Sequence, residues 1–139
     1  MAIDRFEKLR VYRQAFEAAM QIFEASAEWP KEERYALTDQ IRRSSRSVCA
    51  NIAEAWRKRR YERHFVSKLS DADAEAAETR TWLQFALRCD YLSESDFITL
   101  DQIYNRICGG LVLMMQKPQK WCGSAGNVRE PVSEYLPNP

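Results

Sequence analysis

The sixteen residues Gln40-Ile41-Arg42-Arg43-Ser44-Ser45-Arg46-Ser47-Val48-Cys49-Ala50-Asn51-Ile52-Ala53-Glu54-Ala55 decide the fold class. They contain no Gly and no Pro, and an apolar residue recurs every three or four positions, which is the helical period. At about 100° per residue, Leu37, Ile41, Val48, Ile52 and Ala55 gather in one sector of about 60°. Gln40, Arg43, Ser47, Asn51 and Glu54 gather in the sector beside it. Arg42, Arg46, Arg57 and Arg60 form a third stripe if the helix continues to Arg60. One helix therefore carries an apolar face, a mixed polar stripe and an arginine stripe.

The flanking sequence repeats the helical pattern. The chain has 139 residues, the length of one domain. It has 4 Gly and 5 Pro, and Pro30 is the only proline before Pro118, which disfavours sheets with their frequent turns. A first helix is expected from about Arg5 to Ala27. Its apolar stripe would be Phe6, Leu9, Tyr12 or Arg13, Phe16, Met20 and Phe23. Trp29-Pro30 ends it. The second helix starts near Lys31-Glu32-Glu33, where acidic residues suit the helix dipole, and runs to about Arg59. The third runs from about Glu62 to Cys89. Its seam is Phe65, Leu69, Ala72, Ala76, Thr79, Leu83 and Ala86, a heptad repeat with small residues at its middle. Asp90-Tyr91-Leu92 is read as a turn and Ser93 as a cap for a fourth helix. That helix carries Phe97, Leu100, Ile103, Ile107, Leu111 and Met114 to about Gln116, with Gly109-Gly110 as either a close contact or a bend. Four such helices with short loops predict an all-α, up-down-up-down four-helix bundle over residues 1–117. Residues 118–139 have no periodicity and are read as a flexible tail. Trp121, Val132, Tyr135 and Leu136 are its apolar exceptions, able to dock on a neighbour.

Net charge is +1, but it is unevenly spread. Lys31 to Lys68 holds eleven Lys/Arg against five Asp/Glu, and Leu69 to Asp101 holds two against eight. Either neighbouring helices or subunits attract each other, or a basic strip faces phosphate. Asp71, Glu75, Glu78 and Trp82 lie beside the third helix's seam, where Gln40 and Arg43 are suitable donors. The polar stripe and these carboxylates are thus read as a packing or assembly network, with a ligand surface as the alternative. Arg42, Arg46, Arg57, Lys58, Arg59 and Arg60 are the candidate contacts to RNA or DNA, with Trp56, Tyr61 and His64 near enough to stack on bases.

Catalysis is disfavoured by a single histidine, His64, and by the lack of a phosphate-binding glycine loop. Glu75 and Glu78 with His64 would be the only acid–base set. The four cysteines, Cys49, Cys89, Cys108 and Cys122, form no C-x-x-C pair, so no metal or cofactor site is expected. Cys49, Cys89 and Cys108 are read as core residues. With no apolar leader and no apolar run of about 18 residues, a cytoplasmic protein is expected.

The motif residues also carry a resemblance. Gln40-Ile41-Arg42-Arg43, Ser47 and Ala50-Asn51-Ile52-Ala53-Glu54 closely resemble the signature of the bacterial four-helix-bundle family related to the 23S rRNA intervening-sequence protein. Phe6-Glu7-Lys8-Leu9, the run Leu69 to Thr79, Trp82-Leu83 and Asp90-Tyr91-Leu92 agree in order and spacing, so the resemblance covers about Phe6 to Met115. Ala55 departs from it, since Gly is commoner there. The resemblance implies a left-handed antiparallel bundle and a ring-shaped homo-oligomer, most simply a pentamer. Some members are encoded in rRNA intervening sequences, and similar bundles serve diversity-generating retroelements through a nucleic-acid-binding basic surface.

Overall fold

The computed structural model describes residues 2–123 and 128–129. Among the described residues there are four α-helices: α1 (Arg10–Ser26), α2 (Asp39–Arg57), α3 (Glu62–Arg88) and α4 (Glu94–Gln116). Each packs on the next, and α4 returns to α1. Contacts pair early residues of one helix with late residues of its neighbour. Ser44 and Glu54 of α2 meet Thr79 and Lys68 of α3, and Arg80 of α3 meets Asp101 of α4. Helices α2 and α3 therefore run antiparallel. The protein is an all-α four-helix bundle, as its periodicity predicts.

The α3 seam is read correctly at every position. Phe65, Leu69, Ala72, Ala76, Thr79, Leu83 and Ala86 are all fully buried. The apolar face of α2 is buried too, joined by Ser44, Ser45, Cys49 and Trp56. Two small hydroxyls thus enter the core. Thr79 Oγ1 donates to Ser44 Oγ at 2.8 Å, and Ser44 passes its own proton to Ile41 O at 3.3 Å. Each hydroxyl has one proton to give, and the chain of two bonds leaves neither donor unmet.

The α1 stripe is corrected. Its core face is Val11, Ala15, Ala18, Ala19 and Ile22, while Phe16, Met20 and Phe23 stand exposed. Alanines let α1 approach its neighbours closely, and the larger side chains are turned outward beside them. The helix also starts later than expected. Phe6–Lys8 is a 3₁₀ turn, and Leu9 is extended (φ −64°, ψ 134°), which buries its side chain before α1 begins. The second helix likewise begins with a 3₁₀ turn at Lys31–Glu33 and a π turn at Arg34–Thr38.

The α3–α4 turn follows the expected chemistry. Tyr91 N–H donates to Ala86 O at 2.9 Å and Asp90 N–H to Leu87 O at 3.0 Å, with Asp90 left-handed at φ 63°. This is a Schellman ending with Asp in the usual glycine place. Ser93 Oγ then accepts from Asp96 N–H at 3.0 Å and caps α4. Gly109 is exposed, with open space where a Cβ would sit, so it serves no close contact. Cys89 is exposed at the end of α3 rather than in the core; Cys49 is buried and Cys108 half-buried.

Within the expected tail, Pro118–Lys120 form a 3₁₀ turn and Trp121 is buried, 3% exposed, as part of the same core as Trp56. A two-residue strand β1 (Ala2–Ile3) pairs antiparallel with β2 (Val128–Arg129). Val132, Tyr135 and Leu136 lie outside the described residues.

Candidate functional site

The α2 polar stripe is organised by a residue on α3. Lys68 Nζ lies 2.9 Å from Glu54, 3.7 Å from Asp71 and 3.5 Å from Asn51 Oδ1. Asn51 Nδ2 donates to Ser47 O at 2.9 Å and to Ser47 Oγ at 3.1 Å. Ser47, Asn51, Glu54 and Asp71 therefore come together, and the Glu54 carboxylate raises the Lys68 pKa. Lys68 is the member that sequence reasoning missed. The signal was available: α2 and α3 turn back near residue 60, which sets position 54 opposite 68.

The other stripe residues remain apart. Gln40 is half-buried and Arg43 exposed, and neither bonds a carboxylate among the described residues. Glu75 is raised above the usual carboxylate range, chiefly by burial and then by Glu78, with Arg43 pulling the other way. Glu78 accepts from Trp82 Nε1 at 3.5 Å. His64 and Glu75 are eleven residues apart on α3, about 16 Å along its axis, so they share no site.

The arginine stripe splits in two. Arg42 Nε donates to Ser26 Oγ at 2.9 Å and Nη2 to Phe23 O at 3.2 Å, with its guanidinium 4.6 Å from the Phe23 ring centroid. It closes the C-terminal end of α1, where free carbonyls attract a cation. Arg46 lies 5.7 Å from the same ring. The second group is at the far end of α2. That helix stops at Arg57, with Lys58 already non-helical, so Arg60 is not on the stripe. Arg59 folds back, donating Nε to Trp56 O at 2.9 Å and stacking 3.5 Å from the Trp56 ring. Burial lowers its pKa. Trp56 is consequently covered, whereas Tyr61 and His64 are exposed and pair edge-on at 5.3 Å. Arg57, Lys58 and Arg60 are exposed at this end, and Arg57 and Lys58 line a cavity of about 300 Å³ with Ala53, Glu54 and Lys68.

The helix ends segregate charge along the bundle axis. The α2–α3 turn holds Arg57, Lys58, Arg59, Arg60 and Arg63, and the segment following α4, with Lys117 and Lys120, packs beside it. At the opposite end, Glu24, Glu28, Asp90 and Asp96 line one cavity of about 560 Å³ with Trp29 and Tyr91. Tyr91 donates its hydroxyl to Glu33 at 2.9 Å, which pushes its pKa up to about 12. Among the described residues no His, Cys, Asp and Glu side chains converge in threes to hold a metal. No helix of these residues is long and apolar enough to cross a membrane.

The model of the 23S rRNA-intervening sequence protein family matches residues 7–112. The chain belongs to that family. The matched span runs from the turn before α1 almost to the end of α4, so the family's extent is the bundle itself. A solved family structure agrees in fold. It is a protein of unknown function from the S23 ribosomal protein family of Bacteroides thetaiotaomicron, 26% identical, with TM-score 0.68, covering 76% of this chain and 95% of that one. No curated protein matches the chain. The family contains small helical proteins without an assigned activity, and this member's surfaces must supply the functional reading.

Proposed function

We propose that this family member is a non-catalytic bundle that assembles with copies of itself. The observation that carries the reading is the row Phe16, Met20 and Phe23 on α1, exposed at 50%, 42% and 41%. A row of large apolar side chains facing water is an interaction surface. A second row lies on α3, where Phe85 is exposed and stacks at 6.0 Å on Trp82, beside Glu78. The first row is bordered by Arg42 and Arg46, and the second by carboxylates. Two different rows of opposite charge suit a head-to-tail contact, which closes into a ring when the rotation permits. A ring of five copies is the form that the family resemblance implies. Phe16→Glu with Met20→Glu tests it: the double variant should sediment as a folded monomer. Assembly unchanged by these charges would refute the α1 interface.

The basic end supports a nucleic-acid role for the same assembly. Arg42 and Arg59 are engaged within the chain and Arg46 lies against Phe23, which leaves Arg57, Lys58 and Arg60 at the α2–α3 turn as the contacts to an RNA or DNA backbone. In a ring of parallel subunits these groups repeat on one rim. Phosphate contacts make affinity fall steeply with salt. A mobility shift at low salt that Arg57→Ala, Lys58→Ala and Arg60→Ala together abolish is the expected result. Absence of any shift with rRNA fragments, duplex DNA or single strands would leave a protein-interaction scaffold. A reducing cytoplasm suits the four free cysteines, of which burial pushes Cys49 and Cys108 up to about 11.

A further inference from the structure

A second basic site lies on a different face. Between α1 and α4 runs a groove of about 410 Å³, lined by Arg10, Arg13, Gln14, Glu17, Ile103 and Arg106. The four α1 positions recur at i, i+3, i+4 and i+7, which places them on one helix face. Ile103 and Arg106 are one turn of α4. Arg10 has an interaction of its own, so the groove sets the guanidinium groups of Arg13 and Arg106 against one carboxylate, Glu17. Neither Arg13 nor Arg106 is ion-paired among the described residues, although Glu17 sits one turn from Arg13. Like charges gathered in a groove repel unless an anion enters, and the field they make draws one in. The planar guanidinium fork matches phosphate oxygens in pairs. The cavity is within the size range of small-ligand sites.

We propose that the α1–α4 groove binds a phosphate group, held between Arg13 and Arg106 with Ile103 as the apolar wall. It uses none of the α2 arginines and holds even if the α2 basic end binds nothing. The phosphate belongs either to a nucleic-acid backbone or to a free phosphorylated molecule.

The test uses the full chain. Pyrophosphate binding is followed by calorimetry at low salt, and a labelled single-stranded RNA by anisotropy. Arg13→Ala with Arg106→Ala should weaken pyrophosphate at least about tenfold. The triple change of Arg57, Lys58 and Arg60 to Ala should leave pyrophosphate affinity unchanged. Arg13→Lys with Arg106→Lys should restore part of it, and thermal melting checks that each variant folds. If the backbone is the ligand, the groove variant also reduces the salt slope of RNA binding by about 0.7, the value for one single-strand phosphate. RNA binding that ignores the groove variant, with pyrophosphate lost, identifies a free phosphorylated molecule. Equal pyrophosphate affinity in the groove variant and the parent, or none in the parent at millimolar concentration, overturns the proposal.

Discussion

Two residues show how polar groups are managed where α2 meets α3. The Ser44–Thr79 pair is fully buried, and removing one hydroxyl breaks the bond between α2 and α3 while the other keeps a carbonyl of its own helix, Glu75 O at 2.9 Å for Thr79 or Ile41 O at 3.3 Å for Ser44. Ser44→Ala should cost about 1–2 kcal/mol, and adding Thr79→Val should cost less than the sum of the two. Denaturant melts of the four members of the cycle check this; strict additivity would show the two hydroxyls are independent. Glu75 has the opposite character. Its pKa is raised, first by burial and second by Glu78. A carboxyl with a raised folded pKa contributes stability below its unfolded value and loses it as pH rises through the folded one. Glu75→Gln should therefore melt no lower than the parent at pH 7. The two proteins should converge in acid, below the ordinary carboxylate range. A variant less stable at pH 7 would mean that Glu75 is held by a partner as a charge. Ser44's burial cannot be read along the chain, because it depends on how α2 and α3 slide past each other, whereas the turn near residue 60 already sets Lys68 opposite Glu54.

Helix by helix, legibility follows how many faces are apolar. Helix α3 has one apolar seam, and the heptad spacing identifies all seven buried positions. Helix α1 has two. Its large apolar residues are the more conspicuous in sequence, yet the alanines beside them face the core. Size misleads there because close helix packing selects small residues. The start of α2 is obscure for another reason: 3₁₀ and π turns alter the spacing without changing composition. The turns permit a paired test of backbone preference. Gly109 is helical with open space at its Cβ, and Asp90 is left-handed. Gly109→Ala should gain about 0.5–1 kcal/mol, and Asp90→Gly should gain up to about 1 kcal/mol. Thermal melts showing either variant destabilised would mean the native side chain, or its absence, serves a contact.

At the scale of the whole molecule, the basic and acidic stretches of sequence lie side by side in α2 and α3, and a second charge contrast appears between the two ends of the bundle. The charges are legible along the chain but the ends are not, because packing is what brings the α2–α3 turn beside the segment after α4. The set of candidate arginines also loses members: Arg42 closes α1, a contact that only the assembled bundle creates, and Arg59 folds back locally over Trp56. What remains exposed is an apolar row on α1, an acidic aromatic edge on α3 and a basic end. In the proposed assembly the first two of these meet between copies. Sedimentation equilibrium of the intact chain at micromolar concentration tests it most directly. The protomer is 16.3 kDa, and a ring of five would give about 80 kDa. A single species at that mass is the predicted result, and a 16.3 kDa monomer at every concentration would contradict it.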